Sequence, residues 1–172
     1  MSLRSPCLFR WGIILGLTAV PLSGCGSSGS SPDQKPARPV ALFEGLPLSG
    51  NQATAVAAGF RDCLDATMGV RCRREVTLFG VGPLHAAVDL SGAGPDGSAR
   101  FDHVTLWHPS DQSAVLALEG ALQSRGWASC LTKDAERFWH PPSPLRIAID
   151  TSYWGHRRVV IAAAPREAEP FC

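Results

Sequence analysis

The stretch His103-Val104-Thr105-Leu106-Trp107-His108 holds two imidazoles close together in sequence, a pattern that suits metal ligation or general acid–base work. They are five residues apart, so a continuous strand sends them to opposite faces. His85 and Asp89 share a strand face, but four residues of strand span roughly 13 Å. Neither pair closes on one metal ion. A site would have to be assembled from His85, His103 or Asp102 on adjacent strands. Gly92 to Gly97 reads G-x-G-x-x-G, the pattern that cradles a dinucleotide pyrophosphate when a helix follows. Here Phe101-Asp102-His103-Val104 follows, which reads as a strand, and Pro95 has no amide to donate. A loose hairpin loop is expected instead. H-E-x-x-H, G-x-S-x-G and Walker patterns do not occur. No catalytic residue, cofactor or metal is therefore expected.

The densest group of interaction-type residues is Thr151 to Arg158, where Tyr153, Trp154, Arg157 and Arg158 stand together. Tyrosine, tryptophan and arginine dominate binding hot spots. These four are the expected binding surface. Arg71, Arg73 and Arg74 would extend it into an anion-attracting ridge for an envelope protein or an anionic envelope polymer.

Four of the six cysteines, Cys63, Cys72, Cys130 and Cys172, lie beyond residue 40. An even number in an exported chain reads as disulfides. Three pairings are possible. Cys63–Cys72 with Cys130–Cys172 is favoured, because the first closes a short loop and the second ties down the terminus.

That the chain is exported follows from its front end. Arg4 and Arg10 are the only charged residues before Asp33, and Trp11 to Leu22 is apolar, the length of a signal-peptide core and too short to span a bilayer. Leu22-Ser23-Gly24-Cys25 follows. It resembles the lipobox of bacterial lipoproteins, the pattern Leu-[Ala/Ser]-[Gly/Ala]-Cys read by signal peptidase II. Leu-Ser-Gly occurs twice more, before Asn51 and before Ala93; only the copy behind the apolar run ends in cysteine. The resemblance implies removal of residues 1–24 and a lipid on Cys25, which becomes the anchor to the membrane. By the family's sorting rule, Gly26 in place of Asp leans toward the outer membrane, with the domain facing the periplasm. Residues 26–40 are Gly/Ser-rich and then Pro-rich, a flexible tether with a reach of roughly 20 Å. Without Arg4 and Arg10 the chain carries 14 basic and 15 acidic residues, a net charge of −1 that gives nucleic acid no electrostatic hold.

The remaining 41–172 is one domain's worth of chain. Asn51 can cap a helix to about Thr67, with Ala53, Val56, Ala57, Phe60, Cys63 and Leu64 as its inner stripe and Met68-Gly69 at its end. Cys72 to Val81 reads as a strand, Gly82-Pro83 as a turn, and Leu84 to Leu90 as a strand with Leu84, Ala86, Val88 and Leu90 inward. Phe101 to Trp107 is a third strand. Ser110 would cap a second helix whose inner face is Ala114, Val115, Leu118, Ala121 and Leu122, closed by Gly126. A short strand carries Cys130. His140 to Pro144 is a rigid loop. Leu145 to Tyr153 and Arg157 to Ala164 make a closing hairpin around Trp154. Short turns between strands imply an α+β fold: a mainly antiparallel sheet with two helices packed on one face, stabilised by disulfides. "GLPLSGNQATAVAAGF" followed by strands resembles the small lipoproteins of the outer-membrane barrel-assembly machinery. It also resembles the β-lactamase-inhibitor-protein fold, in which a helix leads into an antiparallel sheet beside a disulfide. The Gly-Met-[Thr/Ser] at that family's helix start is not present here. The expected function is a non-enzymatic binding or scaffolding role in the cell envelope; the alternative is a protein inhibitor or a small hydrolase with its site built across strands.

Overall fold

The computed structural model describes residues 41–67, 69–150 and 157–163. In chain order the strands and helices are β1 (Leu42–Phe43), β2 (Leu46–Pro47), β3 (Gly50–Asn51), α1 (Gln52–Ala57), β4 (Asp62–Ala66), β5 (Gly69–Leu78), β6 (Val81–Leu90), β7 (Arg100–Phe101), β8 (His103–Trp107), α2 (Gln112–Gln123), β9 (Ala128–Leu131), β10 (Ala135–Trp139), β11 (Leu145–Asp150) and β12 (Val159–Ala163). Eight strands form one sheet in the order β4-β5-β6-β8-β12-β11-β10-β9. Every neighbouring pair is antiparallel, as expected from the short connections. Among the described residues no helix is long and apolar enough to cross a membrane.

The alternation read in β6 holds: Leu84, Ala86, Val88 and Leu90 are buried. Val104 and Leu106 of β8, Val159 and Ile161 of β12, Leu145, Ile147 and Ile149 of β11 and Phe138 of β10 continue the same layer. They form one core with Val115, Leu118 and Leu122 of α2, Ala55 of α1, and Phe60. Such a shared apolar layer is what burial of one sheet surface requires.

Several boundaries differ from expectation. The first helix ends at Ala57, not near Thr67, and only Ala55 of it is buried; Val56 and Leu64 are exposed. The chain reverses through Ala58 and Gly59, and residues 62–66 become the edge strand β4. Cys63 therefore lies opposite Cys72 in the β4–β5 ladder, where their sulfurs are bonded. Facing ladder positions bring two Cβ atoms within disulfide reach, whereas a helix would have left the bond to chance. The Cys63–Cys72 pairing is as read; the element carrying Cys63 is not. Gly69 begins β5 rather than ending a helix, and Gly82-Pro83 sits inside β6, the turn falling at Phe79-Gly80. Asp111, not Ser110, caps α2, its carboxylate accepting from Ser113 N–H at 2.8 Å. Strand β10 has no counterpart among the expected elements. The tip of the β11–β12 hairpin, with Tyr153 and Trp154, and Cys172 lie outside the described residues.

Candidate functional site

The sheet's second surface carries the polar side chains. In β5, Arg71 and Arg73 alternate with buried Cys72; in β6, His85 and Asp89 alternate with the buried apolar set. In β8, His103, Thr105 and Trp107 alternate with Val104 and Leu106. Register fixes their neighbours: Arg71 faces Asp89, Arg73 faces Ala87, His85 faces Trp107 and Ala87 faces Thr105.

Two contacts shape this surface. Arg71 grips Asp89 with two parallel donors, Nε to Oδ1 at 2.6 Å and Nη2 to Oδ2 at 2.9 Å. That fork holds the Asp89 carboxyl below its ordinary range, with smaller help from the charges of Arg71, His103 and Arg158, while partial burial opposes it. The imidazole of His85 stacks on the indole of Trp107, ring centroids 5.4 Å apart and planes 19° from parallel. Arg71, Arg73, Ala87, Thr105, Trp107 and Arg158 surround an open depression of about 300 Å³. Its lining supplies guanidinium groups, an indole and one hydroxyl. Among the described residues no carboxylate or imidazole lines it, so none of them puts a general base against a substrate there.

The expected binding edge is divided. Arg158 reaches the depression beside Trp107. Arg157 faces the other way: its backbone N–H donates to Gln112 Oε1 on α2, and its charge acts on Glu119. Burial raises the Glu119 carboxyl, the neighbouring Glu136 adds to this, and Arg157 partly offsets it. Consecutive residues entering a strand point to opposite faces, which separates the two arginines. The same rule splits the expected ridge. Arg71 and Arg73 join Arg158 on the open face. Arg74 lies under α1, its Nη1 donating to Ala58 O and its guanidinium 5.2 Å from the Phe60 ring centroid. Burial lowers its pKa from the ordinary arginine value.

The histidines do not converge. The β6–β8 register sets His85 beside Trp107 and leaves His103 four residues away along β8, hydrogen-bonded at 2.7 Å to its exposed neighbour Asp102. His108 lies past the strand, where its Nδ1 accepts from Ser110 and Asp111 N–H and shapes the start of α2. Among the described residues no three His, Cys, Asp or Glu side chains gather as a metal set. The Gly92 to Gly97 loop is more ordered than a loose hairpin. Asp96 accepts from Ser98 and Arg100, and these bonds take its carboxyl down to about 2. Pro95 and the following strand leave it no helix N-terminus to offer a phosphate.

Trp107 and its partner His85 are the residues that sequence reasoning passed over as a binding pair. The available signal was their place on the polar face of alternating strands; only the register brings them together. No family model, curated protein or solved structure shows significant similarity to this chain.

Proposed function

We propose that this chain is a lipid-anchored cell-envelope protein whose domain binds rather than catalyses. Cys25 carries the lipid and holds the protein at the outer membrane, the 26–40 segment tethers the domain, and a Cys130–Cys172 bond fastens the terminus to β9. Both helices cover one face of the sheet, and the opposite face is the binding surface. The observation that carries the reading is the depression among Arg71, Arg73, Trp107 and Arg158: a shallow guanidinium-and-indole surface with no base or nucleophile pair among its described lining. Such a surface suits recognition of an anionic partner, and it does not suit hydrolysis.

Trp107→Ala in cells tests this. In vivo crosslinking should recover much less partner, while the thermal midpoint falls only a few degrees, since about 1 kcal/mol moves a domain of this size by roughly 4 °C. A loss of ~3–5 kcal/mol, the cost of deleting a core aromatic, would return Trp107 to ordinary packing.

A further inference from the structure

The middle of the sheet offers a more specific conclusion, one that rests on the binding role just argued for this face. The depression lies over β5, β6, β8 and the start of β12, four consecutive positions inside the eight-stranded order. Backbone donors and acceptors there are taken by neighbouring strands, so a peptide cannot add itself as a strand; that mode needs an edge. Recognition must come from side chains. Ala87 and Thr105 are small and leave the floor low, while Arg71, Arg73, Trp107 and Arg158 rise around it. The volume of about 300 Å³ is at the lower end for ligand sites, room for one ring-sized unit with the rest of a chain left outside.

Charge narrows the occupant. Asp89 already occupies Nε and Nη2 of Arg71. Arg73 differs: its Nε is buried without a hydrogen-bond partner among the described residues. Asp62 stands opposite it in the ladder but forms no ion pair with it among the described residues. Its guanidinium lines the depression, and a guanidinium fork matches the paired oxygens of a carboxylate or a phosphate. The indole of Trp107, stacked on His85, adds a flat apolar group to the lining that suits the face of a ring. A nucleic acid is disfavoured by the net charge of −1 without residues 1–24.

We propose that this depression binds one acidic unit of an anionic glycan, its sugar ring against Trp107 and its carboxylate or phosphate on Arg73 and Arg158. Calorimetry on the full lipidated chain in detergent, at low salt, decides it. The probes are trigalacturonate for the carboxylate source, mannose 6-phosphate for the phosphate source, uncharged maltotriose and hexaglutamate. One or both acidic saccharides should bind, and which one binds identifies the anion; maltotriose should not. Arg73→Gln should weaken that binding about tenfold, as expected for one charge-assisted contact. Asp89→Asn, which releases Arg71, should tighten it. Equal binding of maltotriose, hexaglutamate binding as tightly as the saccharides, or an affinity unchanged by Arg73→Gln overturns the proposal, as does failure of both acidic saccharides to bind. If the saccharides fail while Trp107→Ala still abolishes crosslinking in cells, only the glycan is wrong. If crosslinking is also unaffected, the binding face itself is wrong.

Discussion

Asp89 shows how a single residue can serve structure at the margin of a binding surface. Its carboxyl is held low chiefly by the hydrogen bonds from Arg71, so the folded state binds a proton less readily than the unfolded chain. The sign follows: the pair's stabilisation is complete above the unfolded carboxylate range and disappears as pH falls through the depressed folded value. Both side chains are about a third exposed, 37% and 34%, so solvent screening keeps the contribution to roughly 0.2–1 kcal/mol. Asp89→Asn should accordingly lower the urea midpoint slightly at neutral pH. In strong acid its midpoint should match the wild type. A difference that persists in acid would place the effect in packing rather than in charge.

At the scale of elements, two glycines should respond to alanine in opposite directions. Gly69 opens β5 with φ at +156°, and a Cβ there would lie 2.1 Å from Leu90 O on β6. The obstacle is backbone, so the β5–β6 ladder would have to move. Gly69→Ala should cost more than about 1 kcal/mol. Gly120 sits on the exposed side of α2 with nothing within 4 Å of where a methyl group would stand, and its backbone is helical. Gly120→Ala should add about 0.5–1 kcal/mol by removing freedom from the unfolded chain. Thermal unfolding of the two variants checks both signs. The inward residues of β6 and of α2 were legible because their apolar periods are clean, whereas β8, β11 and β12 were legible only as strands. The 52–67 segment was not. Its apolar residues at Ala53, Val56, Ala57, Phe60, Cys63 and Leu64 fit a helical stripe, yet the chain leaves the helix at Ala58 and pairs 62–66 with β5. A long strand with a free edge and a cysteine facing Cys63 outweighs a marginal helical preference.

For the whole molecule, the proposed lipid anchor at Cys25 is the testable feature. Cys25→Ala should abolish palmitate labelling, leave the precursor uncut by signal peptidase II and release the domain from the outer-membrane fraction. Label retained by the variant would remove the lipoprotein reading. On the proposal that Cys25 is lipidated, the binding face would be confined to the envelope.

The sequence by itself determined the local matters: the antiparallel α+β character, the inward residues of β6 and the Cys63–Cys72 partnership. Each rests on composition, spacing or period, which neighbours along the chain settle. Tertiary structure decided the rest. Arg71 and Arg73 meet Trp107 and Arg158, while Arg74 and Arg157 turn to the other side, because strand order and register choose each residue's neighbours across the sheet. A shift of one position would exchange the two faces entirely. Register is set by the burial of every strand at once, which is why no single stretch of sequence could reveal the site.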